Sequence, residues 1–219
     1  MSPQARENEE ERRLRLWTVE HELFAAGAQH VAGVDEAGRG PLAGPVVVAA
    51  VILPRDCRLE GLNDSKQVRL ETRERLYAEI CAQAVAYAIE IVPVEIIDTV
   101  NILQATYRGM RAALLALSPA PDIALIDGWA LPDAPVAQRN LIGGDARSAS
   151  IAAASILAKV QRDNLMLRLA ARYPGYGFDK HKGYATAEHL LALRRLGPCP
   201  EHRRSFAPVQ ACAQGELGL

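Results

Sequence analysis

HVAGVDEAGRGPLAGPVVVAAVILP, residues 30–54, is the stretch on which the fold turns. Its second half, PVVVAAVILP, is a run of Val, Ala and Ile bounded by prolines, the pattern of a strand buried on both faces. HVAGVDEAG reads as a shorter strand and GRGPLAG as the turn, so the two strands form a hairpin. Asp35 and Glu36 stand side by side near the end of the first strand, with glycines close behind. Adjacent carboxylates repel and glycines weaken a strand, so the pair is costly in a core. The ends of strands in an α/β sheet are where sites collect, and there such a pair has a use.

The chain alternates from the hairpin outward. In LNDSKQ, Asp64 reads as a helix cap with Gln67 three residues on. Leu70, Tyr77, Ile80, Cys81 and Ala84 then share one helical face. VAYAIEIVPV (85–94) is a strand closed by Pro93. VNILQATYRGMRAALLAL (100–117) is a helix capped by Asn101, with Leu103, Tyr107, Met110, Leu114 and Leu117 as its apolar stripe and Ser118-Pro119 as its stop. DIALIDG (122–128) is a strand ending in an acid, and NLIGGDARSAS (140–150) is a strand or loop that delivers Asp145 to a helix start. The longest helix, 149–173, begins with small apolar residues nearly all round and is expected to be buried. Two shorter elements close the chain, one of them ATAEHLLALRRLG (185–197). This order predicts an α/β fold, a mixed sheet with helices packed against it, without repeats or internal linkers.

Bulk composition sets limits. The chain has 219 residues, 49% hydrophobic and 23% charged, which suits one globular domain. The net charge of −1 does not by itself point to a polyanionic partner. Its distribution does more: residues 1–146 carry 14 Lys and Arg against 21 Asp and Glu, whereas 147–204 carry 11 against 4. An acidic site facing a basic flank suits a phosphate-bearing ligand; scattered solvated charge is the plainer alternative. Cys57, Cys81, Cys199 and Cys212 form no C-x-x-C pair, which predicts a reduced, cytosolic setting. Cys199, His202 and Cys212 lack a fourth zinc ligand at suitable spacing. No signal peptide is visible, and no apolar run approaches the ~20 residues of a membrane helix. ARENEEERRLRL (5–16) reads as a solvated helix with disorder at its very start.

Four acids share one position in the pattern. Asp35, Glu36, Asp127 in LIDGW and Asp145 in GGDARS each lie at a strand end or before a helix, next to glycine. Singly, each reads more simply as a loop acid or a cap; Asp145 in particular stands ready to cap the helix that begins near Ser148. Together they oppose one another, and a hard divalent cation such as Mg²⁺ or Mn²⁺ relieves that repulsion. Two such ions about 4 Å apart clamp a phosphodiester. Because neighbouring side chains on a strand face opposite ways, Asp35 and Glu36 serve one site only if the strand stops there. GRGPLAG offers close backbone approach and a phosphate-binding arginine but is not a Walker loop. YGFDKHKGYAT (176–186) interleaves Tyr176, Phe178 and Tyr184 with Lys180, His181 and Lys182, as a nucleic-acid surface or as a loop anchored by its tyrosines.

VAGVDEAGRGPLAGPVVVAAVIL, DSK, VNILQAT, IDG, GDARSASIAAASILAKVQRD, GYGFDKHKGYAT and HRRSFAPV occur in this order. They closely resemble bacterial ribonuclease HII from about residue 31 to 209. The resemblance implies a ribonuclease H-like fold with a small helical C-terminal extension. It implies a catalytic domain over 29–210, a charged N-terminal extension over 1–28 and a tail over 211–219. It further implies an endonuclease that cuts the RNA strand of RNA–DNA hybrids and incises DNA duplexes at embedded ribonucleotides, leaving a 3′-hydroxyl and a 5′-phosphate. Its metal is Mg²⁺ or Mn²⁺ in a two-metal site. The ligand set maps onto Asp35, Glu36, Asp127 and Asp145, the ribose sensor onto Gly38, Arg39 and Gly40, and the junction-sensing tyrosine onto Tyr184. Lys66, Arg147, Ser148 and Lys182, in the same motifs, complete the expected substrate contacts. A cytoplasmic monomer is implied. The sibling type HIII carries an extra N-terminal domain, and the roughly thirty residues before the DEAGRG box favour type HII. Two other readings stand beside this one. A DNA nuclease of the same superfamily shares the carboxylates but has no use for the GRG turn. A non-catalytic hybrid-binding module is marked by loss of a carboxylate, and all four are present. The C-terminal CAQGELGL carries no clear clamp-binding motif.

Overall fold

A computed structural model describes residues 8–214. Within residues 30–54 lie β1 (Val31–Ala37) and β2 (Val46–Ile52), an antiparallel pair. β3 (Ala86–Val92) adds antiparallel to β2, while β4 (Ile123–Asp127) lies parallel to β1 and β5 (Ala137–Leu141) parallel to β4. The strand order is β3-β2-β1-β4-β5, a mixed sheet with β1 at its centre. Every residue of β2 is buried, as a strand covered on both faces requires.

The period of two sorts that strand between two cores. Val47, Ala49 and Val51 join Leu16 and Trp17 of α1 (Glu9–Ala25), Leu76 and Ile80 of α2 (Leu70–Gln83) and the alanine-rich half of α5 (Ala149–Arg172). Val48, Ala50 and Ile52 join Ala32 and Val34 of β1, Ala124 and Ile126 of β4 and Met110, Ala113 and Leu114 of α4 (Ile102–Leu115). Asn101 caps α4 by accepting from the Gln104 N–H at 3.0 Å. Gly33 explains why α5 starts with small residues. A Cβ there would lie 2.0 Å from the Ser150 carbonyl carbon, so strand and helix backbones are in contact.

Several expectations change. α2 begins at Leu70 with no side-chain cap; Asp64 instead folds a turn, its carboxylate accepting from the Lys66 N–H at 2.9 Å. Leu70 and Leu103 lie outside the buried stripes, 58% and 39% exposed. A short helix, α3 (Val94–Val100), follows Pro93 directly, and its Ile97 is buried. Three helices rather than two end the described chain: α6 (Phe178–His181), α7 (Ala187–Leu196) and α8 (Ala207–Ala213). The first turns of α1 are largely solvated, as read, but from Leu16 the helix enters the core. The expected disorder at the extreme start, residues 1–7, and the last residues of CAQGELGL, 215–219, lie outside the described residues.

Candidate active site

The parallel ladder between β1 and β4 runs from Val31–Ile123 to Val34–Ile126 and ends there. On its other edge β1 stays paired with β2 through Ala37–Val47. The strand therefore does not stop at the acids, as alternation had demanded; only one of its two ladders does. Asp35 and Glu36 sit on a strand held from one side and open on the other, beside Asp127 at the end of β4. Alternation sends Asp35 to the α5 face with Gly33, and Glu36 to the α4 face.

Asp127 accepts the Gly144 N–H at 2.6 Å, tying β4 to the one-turn 3₁₀ helix Gly144–Ala146 that carries Asp145. Asp145 does not cap α5. Ser148 does, accepting the Ile151 N–H at 3.1 Å. Ser148 also donates to Glu20 of α1 at 2.6 Å, and Glu20 accepts the Ser150 N–H at 2.9 Å. Ser148 is fully buried, which corrects its assignment as a substrate contact. Arg15 of α1 donates to the Ala146 carbonyl. The helix read as a solvated extension thus buttresses the turn that holds Asp145.

The four acids share one electrostatic environment. Asp35 is 6% exposed. Burial, then the charges of Glu36, Asp127 and Asp145, push its carboxyl well above the usual range. Burial raises Glu36 as well, against the opposing pull of Arg39, whose Nη1 lies 3.4 Å away. Asp145 is pushed up to about 6 by burial and by Asp64 and Asp127, with Lys66 pulling the other way from 3.8 Å. Asp64, read from sequence as a cap, is thus a fifth acid beside Asp145. Among the described residues no three such side chains stand close enough together to hold a metal ion as they are placed. The donor set nevertheless fits a hard divalent cation, because it consists of carboxylate oxygens whose mutual repulsion a cation removes.

A cleft of about 280 Å³ runs from Asp35 and Glu36 past Gly38–Gly40 to Tyr184. A separate groove of about 450 Å³ between α1 and α2 contains none of these acids. Two buried arginines support the glycine turn from below. Arg203 donates to the carbonyls of Gly38 at 2.5 Å, Arg39 at 2.8 Å and Gly44 at 3.0 Å; Arg162 donates to those of Ala43 at 3.2 Å and Pro45 at 3.1 Å. Burial lowers both guanidinium pKa values, that of Arg203 to about 9. These two cations belong to the basic stretch 147–204, so part of that charge is structural rather than a solvated flank. Gly38 has φ +97°, and a Cβ on it would meet Arg162 Nε at 1.9 Å. Gly40 differs: a Cβ there would find only Tyr184 Cε1, at 3.6 Å.

Of the interleaved aromatics only Tyr184 faces solvent, 47% exposed; Tyr176 and Phe178 are core residues. Lys66 and Arg147 are exposed, Lys66 beside the acids and Arg147 donating to the Ile142 carbonyl at 3.3 Å. The Lys182 ammonium is turned back onto the Asp179 carbonyl. Trp129 escaped the sequence reading. It is 74% exposed and borders, with Leu103, a small cavity that reaches Glu36 and Asp127 on the α4 side. Its position two residues after Asp127 was the available signal.

The sequence profile described as Ribonuclease HII matches residues 32–209. A ribonuclease HII from Geobacillus kaustophilus is 57% identical over 201 residues, spanning 92% of this chain and 77% of that protein. One from Halalkalibacterium halodurans is 54% identical over 215 residues, spanning 94% and 81%. The crystal structure of ribonuclease H2 from Pyrococcus horikoshii superposes with a TM-score of 0.72 at 26% identity, covering 86% of this chain and 99% of the other. The matched span takes in every acid at the open end of β1 and β4 as well as the glycine turn beside them, and on this ground the chain belongs to the ribonuclease HII family.

Proposed function

We propose that this protein hydrolyses the RNA strand of RNA–DNA hybrids and nicks DNA duplexes at embedded ribonucleotides, leaving a 3′-hydroxyl and a 5′-phosphate. The observation that carries this reading is the juxtaposition of buried, mutually repelling carboxylates with a glycine turn whose Gly40 is open to the cleft. Asp35, Glu36 and Asp127 would hold one Mg²⁺ or Mn²⁺, and Asp145 would complete the position of a second. When bound, such ions supply Lewis acidity at the scissile phosphate, for the attacking water and for the leaving oxygen. The rest falls to the chain. Lys66 and Arg147 offer their charges to the phosphodiester backbone. The open backbone at Gly38–Gly40, with Arg39, lets a ribose come close enough for its 2′-hydroxyl to be read. DNA, lacking that hydroxyl, leaves the polar groups there unpaired. Tyr184, beside Gly40, meets the next sugar along the strand. Trp129 adds an exposed ring on which a base or sugar can stack.

The test is a duplex carrying one ribonucleotide, incubated with Mg²⁺ or Mn²⁺, with its product ends mapped. The expected product is a single nick on the 5′ side of the ribonucleotide, abolished by a chelator. Equal cutting of an all-DNA duplex favours a DNA nuclease of the same superfamily, and no cutting of any duplex favours a binding module. Tyr184→Ala is expected to reduce incision at a single ribonucleotide about 10-fold more than cleavage of a long hybrid. An equal loss on both substrates removes Tyr184 from its assigned role. The reading includes a monomer at work in the cytoplasm; among the described residues no helix is long and apolar enough to cross a membrane.

A further inference from the structure

The loop that carries Tyr184 rests on two buried histidines that the chemistry above does not use. His189 in α7 and His202 are both fully buried, and their Nε2 atoms lie 3.1 Å apart. Two imidazole nitrogens can bond only if one carries the proton and the other does not. The surroundings decide which. The Cys199 N–H donates to His202 Nδ1 at 3.0 Å, so that nitrogen is bare and His202 is protonated at Nε2. His189 Nε2 is then the acceptor, and its proton sits on Nδ1, 2.9 Å from the Tyr184 carbonyl. The Thr186 N–H shares that carbonyl at 2.8 Å. The result is a directed chain of bonds from the Cys199 N–H through two neutral rings to the backbone of Tyr184.

Both ends of this chain are attached to the glycine-turn loop. His202 forms an antiparallel bridge with Ala43, and the Arg203 that follows donates to the Gly38 and Arg39 carbonyls. The Leu42 N–H donates to the Gly183 carbonyl at 2.8 Å, and a Cβ on Gly183 would lie 2.6 Å from the Ala43 oxygen. We propose that His189 and His202 are positioning residues that set the Tyr184 ring against Gly40, and so adjust discrimination at a single ribonucleotide rather than the cutting step. This rests on the reading of Tyr184 given above. The packing keeps both rings uncharged. Phe178 meets the His189 ring edge-on at 5.5 Å, Tyr176 lies 5.0 Å from His202, and His181 stacks on His189 at 4.4 Å. Cys199 Sγ lies 3.1 Å from His202 Nδ1. Burial lowers both histidine pKa values, that of His202 to about 4; His189 and then Arg204 add to the effect on His202, and His181 acts in the same direction on both rings. A proton added to His189 Nε2 would face another proton and break the chain.

The readout is the ratio of kcat/KM on a single-ribonucleotide duplex to that on a long hybrid. His189→Leu removes the donor to Tyr184 and is expected to lower the ratio about 10-fold. His189→Asn places an amide nitrogen near the former Nδ1 and is expected to restore most of it. A ratio that falls in Tyr184→Ala but not in His189→Leu overturns the relay alone. An unchanged ratio in both overturns the reading of Tyr184 and this inference with it. The wild-type protein gives a second check that needs no folded variant. Long-range ¹H–¹⁵N correlation of the imidazoles at pH 7 is expected to show His202 protonated at Nε2 and His189 at Nδ1. A proton on His189 Nε2 overturns the proposal.

Discussion

Asp35→Asn is expected to abolish cleavage and, in the absence of metal, to make the protein more stable. The loss of kcat/KM should be on the order of 10³-fold or more, because a neutral amide is a poor ligand for a hard divalent cation. The gain follows from the cost of keeping Asp35 charged. Its carboxyl is buried among Glu36, Asp127 and Asp145, and its folded pKa lies well above the ordinary 3.8. The folded state therefore holds the proton more tightly than the unfolded chain does. The destabilisation is absent below 3.8 and fully present once the pH exceeds the folded value. Replacement by Asn, which can still accept the Glu36 N–H that Asp35 Oδ1 takes at 2.7 Å, removes that cost. In a chelator at pH 8, Tm should rise by a few degrees, about 1 kcal/mol for a chain of this length, and the gain should vanish near pH 3–4. Mg²⁺ or Mn²⁺ should raise the Tm of the wild type more than that of the variant, since only the wild type offers the full ligand set. Unchanged activity, or a lower metal-free Tm at pH 8, counts against the assignment.

Gly33→Ala should unfold the protein although it adds one methyl group. The new carbon would stand 2.0 Å from the Ser150 carbonyl carbon and 2.3 Å from the Ile151 nitrogen, both backbone atoms. No side chain can turn aside; β1 and α5 would have to separate. That opens the core formed by α5 and β2 and displaces the helix whose cap, Ser148, is bonded through its N–H to the Gly144 carbonyl beside Asp145. A cost of about 4 kcal/mol or more is expected, comparable with the whole stability of an ordinary domain. Gly40→Ala is the control. Its Cβ finds only Tyr184 Cε1 at 3.6 Å, so stability should stay within about 0.5 kcal/mol while incision suffers. Urea denaturation of the two variants separates a glycine the fold needs from one the substrate needs. Equal stability of both would refute the distinction.

The difference between those glycines shows where sequence reasoning reached its limit. Local pattern was enough for the hairpin, the buried strand β2, the small-residue start of α5 and four acids at element ends, because periodicity and turn chemistry act over a few residues. The functional reading came from motif resemblance rather than from spacing. It failed where a residue's task depends on a neighbour far along the chain. Asp64 looked like a cap and instead lies against Asp145. Ser148 looked available to substrate and is buried under Glu20, 128 residues away. Nothing in the charge pattern singled out Arg162 and Arg203, which bind the carbonyls of a turn more than a hundred residues earlier.

The sequence by itself determined the strands and the long helices, their order and the chemistry available at their ends: carboxylates suited to a metal, glycines suited to close approach. The tertiary structure alone decided which of those groups meet. Pairing of β1 with β2 continues past Asp35 while pairing with β4 stops at Val34, and this one-sided ending opens the strand without breaking it. Packing of α5 against Gly33 brings Asp145 to the same opening, and buried arginines and histidines hold the glycine turn against Tyr184. Hydrogen-bond register, burial and the desolvation that shifts a pKa belong to pairs of distant residues, and one-dimensional pattern does not encode them.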